Sequence, residues 1–77
     1  MSFYLEWERL AFQAYAQIPD VDRLAIGDAI VDLMNEGIPD TATPDGDGSW
    51  HLRAGRYVIG FTIDDDLEIY LYEIEKA

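Results

Sequence analysis

Between Ser2 and Trp7 apolar and polar positions alternate. Phe3, Leu5 and Trp7 stand against Ser2, Tyr4 and Glu6, the twofold period of a strand with one buried face. The spacing predicts a strand over about residues 2–7. From Glu8 the period lengthens: Ala11, Ala14, Tyr15 and Ile18 fall at helical spacing, and Pro19 ends a helix predicted over 8–18. Asp20 is a suitable N-cap for a second helix over 21–36, because its carboxylate can accept the free amide protons of a first turn. Ile26, Ala29, Ile30, Leu33 and Met34 form the apolar stripe of that helix, with Asp28, Asp32 and Asn35 on the opposite side. Gly37 suits the position just past its end, and Pro39 prevents continuation.

Residues 37–48 are rich in turn-formers and read as a loop. Three strands come next, over about 49–54, 57–63 and 67–74. Trp50 and Leu52 point one way, with His51 and Arg53 the other. "AGR" makes the first hairpin turn and "DDD" the second. In the middle strand Tyr57, Ile59, Phe61 and Ile63 alternate with Val58, Gly60 and Thr62. In the last, Leu67, Ile69 and Leu71 alternate with Glu68, Tyr70 and Tyr72. The order β-α-α-β-β-β specifies one α+β domain over residues 1–77. A helix hairpin lies on one face of a mainly antiparallel, four-stranded sheet.

At 77 residues without cysteine, an apolar core must hold this domain without disulfide staples. With 49% hydrophobic and 13% aromatic residues, there is enough apolar material to form one. No apolar run is long enough for a membrane span and no secretory signal is recognisable, so a cytoplasmic protein is expected. Charge is more unusual. Sixteen acidic residues against five basic ones give −11. Such a surface repels nucleic acid, whose binding depends on Lys and Arg displacing counterions, and attracts cations or a basic partner.

Trp50, Leu52, Arg53, Gly55, Tyr57, Ile59, Phe61, Ile63, Asp64 and Asp65 stand at the spacing W-x-L-R-x-G-x-Y-x-V-x-[YF]-x-[IV]-D-D. With Ala11, Tyr15, Ile18-Pro19 and Val21 in the helix hairpin, the chain up to Ile74 resembles the RelE/ParE toxin superfamily of bacterial toxin–antitoxin modules. The resemblance implies a concave sheet face left open by the helices. In RelE-like members that face docks at the ribosomal decoding site and cleaves mRNA; ParE-like members inhibit DNA gyrase. RNA cleavage needs acceptance of the 2′-hydroxyl proton, protonation of the leaving oxygen and positive charge on the phosphorane. The family meets these needs with Lys and Arg on the middle strands and a basic C-terminal tail carrying Tyr or His.

Here the strand Arg of the family is Val58, the basic position two before the L-R arginine is His51, and Arg53 is kept. Helix positions that carry Lys or Arg in the toxins are Phe12, Gln13, Ala16 and Gln17. The sequence ends at Ala77, so the resemblance implies a divergent, acidic member truncated before that tail. The reading is a toxin-like protein of a type II toxin–antitoxin family acting by protein contact, without nuclease activity. The alternatives are a RelE-type mRNA interferase, or an acidic regulatory or structural binding protein unrelated to toxicity.

His51 and Arg53 are the remaining catalytic candidates: an imidazole can move a proton and a guanidinium can hold a phosphate. With no acid partner assigned to it, His51 is half a mechanism. Tyr4, Tyr70 and Tyr72, which project away from the core, and Arg56 are candidates for a docking face, since tyrosine offers large contact area with a hydrogen-bonding tip. Phe12 beside Ala16 suggests a second apolar patch and self-association. "DGDG" at Asp45 to Gly48 lacks the acidic twelfth residue of a calcium loop, that position being Arg56. No metal or cofactor is expected. The partners expected are a cognate antitoxin or other, basic, protein and a second copy of the chain, rather than nucleic acid.

Overall fold

The computed structural model describes residues 3–46 and 48–77. Its elements are β1 (Tyr4–Trp7), α1 (Arg9–Gln17), α2 (Asp20–Glu36), β2 (Thr43–Pro44), β3 (Ser49–Ala54), β4 (Tyr57–Ile63) and β5 (Glu68–Lys76). They form a five-stranded sheet in the order β1-β5-β4-β3-β2. β1 lies parallel to β5, Leu5 opposite Ile69, and every other pairing is antiparallel. The first strand is therefore held by the last.

One buried cluster joins the layers. Ile26, Ile30 and Leu33 of α2 meet Leu52, Ala54, Ile59, Phe61, Ile69 and Leu71 from the sheet, with Ile18 from the end of α1. These are the inward positions of the two periods read from the sequence. Ala29 and Met34, also assigned to the stripe, pack at its margin, half-buried.

Several expectations need correction. The predicted first strand begins at Ser2, which lies outside the described residues, as does Asp47 of the "DGDG" segment. α1 begins at Arg9 rather than Glu8. Glu8 is its cap instead, its carboxylate accepting from the Leu10 and Ala11 amides at 3.0 and 3.2 Å. Asp20 is not the N-cap of α2. Pro19 takes that place, and Asp20 lies in the first turn with Asp22, where a negative charge meets the positive end of the helix dipole. The segment 37–48 is not all loop. Thr43 and Pro44 pair with His51 and Trp50, adding a fifth strand to the predicted four at a sheet edge, where Pro is tolerated.

The last strand starts at Glu68 rather than Leu67 and runs to Lys76 rather than ending at Ile74. Leu67 belongs to the turn, with φ of +64°, a backbone state that costs an L-residue roughly 1–2 kcal/mol. Fixed hydrogen bonds hold it there. The Asp64 carboxylate accepts from the Asp66 and Glu68 amides at 2.9 and 3.0 Å, and the Leu67 carbonyl accepts from Tyr4 of β1 at 2.9 Å. At the other hairpin Gly55 has φ of +62° as the first residue of a two-residue turn, a position that favours glycine. A Cβ there would sit 3.2 Å from that of Ala25, so the hairpin tip rests directly on α2.

Leu33 is 1% exposed at the centre of the cluster. Leu33→Ala should lower unfolding free energy by about 2–5 kcal/mol, a large share of what a small domain holds. Chemical denaturation checks this; a loss under about 1 kcal/mol would place Leu33 outside the core.

Candidate functional site

With both helices on one side, the opposite face of the sheet is open. Alternation and register assign its residues: Tyr4 and Glu6 from β1, Glu68 and Tyr70 from β5, Val58, Gly60 and Thr62 from β4, and His51 and Arg53 from β3. The second half of β5 departs from simple alternation. Phe61 faces Leu71 and Gly60 faces Glu73, so Tyr72 is an extra residue in a bulge. The bulge switches the sides to which the later residues of β5 point. Glu73 and Glu75 come to the open face opposite Gly60 and Val58, and Ile74 returns to pack on the core.

Gly60 is where this face is built. A Cβ at residue 60 would lie 3.0 Å from the ring of Tyr72. The glycine thus leaves a slot in the sheet surface, and the half-buried Tyr72 ring fills it. Tyr70 and Tyr4 extend the aromatic surface outward at 38% and 72% exposure.

His51 lies across Gly60 from Glu73, in one lateral row of three strands. Its Nε2 is 3.5 Å from a Glu73 carboxylate oxygen and 3.3 Å from one of Asp45, which precedes β3. That nitrogen is closed off from solvent and makes no hydrogen bond of good geometry to either. The imidazole is therefore held between two acids from separate parts of the chain. The expectation that His51 lacks an acid partner is overturned. Sequence reasoning missed this because Glu73 reaches the open face only through the bulge, and Asp45 only through the turn that brings β2 onto β3.

Arg53 is occupied differently. Its Nε donates to the Gly55 carbonyl at 2.6 Å, steadying the first hairpin turn. The structure thus gives His51 and Arg53 separate partners. Arg56 is not among the residues of the open face. Its guanidinium donates to Asp22 at 2.8 Å, and the hydrogen bond and charge of Asp22 raise its affinity for its proton further. This pair ties the β3–β4 hairpin to the first turn of α2. Phe12 is 53% exposed, and its ring stands edge-on to Trp7 with centroids 5.5 Å apart.

The basic side chains that the register brings to this face are His51 and Arg53, set against Glu6, Glu68, Glu73 and Glu75. Among the described residues, no group of three His, Cys, Asp or Glu side chains is placed to hold a metal ion. No helix among them is long and apolar enough to cross a membrane.

Gly60→Val should expel the Tyr72 ring and cost roughly 1–3 kcal/mol through overpacking. The near-ultraviolet circular dichroism of the tyrosines should change with it. An unchanged spectrum and midpoint would mean that the slot does not position Tyr72.

No family model matches the sequence, and no curated protein matches it. Solved structures do. The isolated Escherichia coli RelE toxin aligns with a TM-score of 0.86 at 14% identity, over 99% of this chain and 85% of that one. A chain of the toxin–antitoxin complex RelBE2 from Mycobacterium tuberculosis aligns at 0.83 and 18% identity, over 100% of both. A chain of the archaeal RelE–RelB complex from Pyrococcus horikoshii aligns at 0.82 and 13%, over 99% and 96%. The resemblance read from the Trp50–Asp65 motif and the helix hairpin thus has its structural counterpart: this chain has the fold of the RelE toxins.

Proposed function

We propose that this chain is a toxin-like protein of the type II toxin–antitoxin class that acts by contact with other proteins and does not cleave RNA. The observation that carries the reading is the charge of the open face. A face that binds and cleaves RNA needs free positive charge for the phosphate and for the phosphorane. Here Arg53, bound through Nε to a neutral carbonyl, is outnumbered by Glu6, Glu68, Glu73 and Glu75, His51 sits between Asp45 and Glu73, and Val58 stands where the family resemblance places an arginine. Four glutamates share the surface with Tyr4, Tyr70 and Tyr72, a composition suited to a protein partner. The neighbours solved as RelBE and RelE–RelB complexes support an antitoxin-like protein as that partner.

A second reading, a ribosome-dependent RNase, draws on the one feature that favours it, the carboxylate-flanked His51. General acid–base steps are worth about 10²- to 10⁴-fold each, so one histidine leaves the charge-stabilising function unfilled.

The protein incubated with translating ribosomes should leave mRNA 5′ ends unchanged. Codon-specific cuts that vanish in His51→Ala would establish the second reading. Cuts that persist in that variant would identify a contaminating nuclease. Purification with the product of the neighbouring gene should recover a complex; recovery of the chain alone, with growth unaffected by its expression, would count against a toxin–antitoxin role.

A further inference from the structure

The side of α2 turned away from the sheet is as patterned as the buried side. Val21, Leu24, Asp28, Val31 and Asn35 recur at alternating steps of three and four residues, which places them along one line of a helix. Val21 is 74% exposed, Leu24 71% and Val31 53%. At 100° per residue this line runs roughly opposite Ile26, Ile30 and Leu33. The helix therefore carries two apolar stripes, of which the fold uses one.

The unused stripe has three further features. It is edged with exposed carboxylates, Asp20 and Asp32. Arg23, the cation of this helix, pairs with Asp20 and lies 6.0 Å from the Tyr15 ring. A groove of about 390 Å³ opens beside the stripe, lined by Tyr15, Asp20, Arg23, Leu24, Gly27 and Asp28. Gly27 forms part of its wall: the atom nearest to a Cβ there would be the Tyr15 hydroxyl, at 3.8 Å. A mid-helix glycine is unfavourable relative to alanine, and here it leaves that space open. Asp28, finally, stands at the midpoint of the stripe.

That midpoint decides the occupant. A second copy docking by the same stripe about a twofold axis would bring Asp28 against Asp28, like charges within an apolar contact, between chains of −11 each. We propose that the outer stripe of α2 is a docking surface for a basic amphipathic helix of another protein. Its apolar face covers Val21, Leu24 and Val31, a central Lys or Arg meets Asp28, and flanking basic residues meet Asp20 and Asp32. The stripe is about 21 Å long at 1.5 Å per residue, so the partner helix needs roughly 14 residues or more. This deepens the protein-contact reading above and rests on it, by stating the partner's chemistry and where it binds.

The test uses the full chain and a labelled synthetic helix of about 20 residues, with Leu at the a and d positions and Lys at the central a and flanking positions. Fluorescence anisotropy at physiological salt should give a micromolar complex. A composition-matched scrambled peptide, which keeps the charge but loses the stripe, should bind at least about tenfold more weakly. Leu24→Asn, at a position too exposed to disturb the core, should weaken the stripe peptide by about tenfold. Asp28→Lys should lose the Lys-centred peptide and gain one with a central Glu. Equal binding of stripe and scrambled peptides, or indifference to both substitutions, would overturn the proposal. So would a wild-type dimer in sedimentation that Leu24→Asn dissociates, which would identify a second copy as the occupant. RNA cleavage would remove the functional reading while leaving these titrations unchanged, so the two failures are separable.

Discussion

The contact between the inner stripe of α2 and the sheet sets the arrangement of the rest. Ile26, Ile30 and Leu33 have one apolar surface to meet, formed by Leu52, Ile59, Phe61, Ile69 and Leu71. Once they meet it, the sheet is covered on one side and bare on the other. The surfaces left over from that burial include the open sheet face with its tyrosines and the outward side of α2. In a chain of 77 residues one core is all that can be formed, so these surfaces lie only one element's thickness from it. The Tyr72–Gly60 contact shows how closely the two are coupled, since the strand carrying that tyrosine also carries Ile69 and Leu71.

Elements with one buried face are legible in the sequence. Alternation in β3 and β4 and the 3.6-residue spacing in α2 mark the inward positions, and Leu52, Ile59, Phe61, Ile26, Ile30 and Leu33 are buried there; Gly60, on the open side, is buried as well because the Tyr72 ring covers it. The sequence is silent where a residue's role depends on something distant along the chain. Glu8 caps α1 although glutamate is not a favoured cap, because Glu8 follows a strand whose end is fixed by pairing with β5: its amide donates to the Leu71 carbonyl at 2.9 Å. Leu67 adopts a glycine-like backbone because β1 binds its carbonyl. Arg56 reads as a free surface cation until the hairpin tip is seen resting on α2. Glu73 reads as an inward position until the bulge at Tyr72 is known. The second stripe of α2 is present in the sequence too, but Asp28 and Asn35 within it make that side look merely polar.

Electrostatics narrows the choice of partner. The acidic excess is not confined to one segment; it occurs on the open face, along the outward side of α2 and at the Asp64–Asp66 turn. The fold is that of the RelE toxins, and the charge of the open face disfavours a polyanion there. Tyrosines and an imidazole held between acids can meet a protein surface without the cost of bringing phosphates up to glutamates.

Amide chemical shifts distinguish a protein-contact surface from an RNA site on the open face. A single-stranded RNA oligonucleotide titrated into the labelled chain at low salt should leave His51, Gly60, Tyr70 and Tyr72 unmoved. Saturable shifts confined to those residues and Arg53 would contradict a protein-contact role, because they would place RNA on the face that the structure makes acidic.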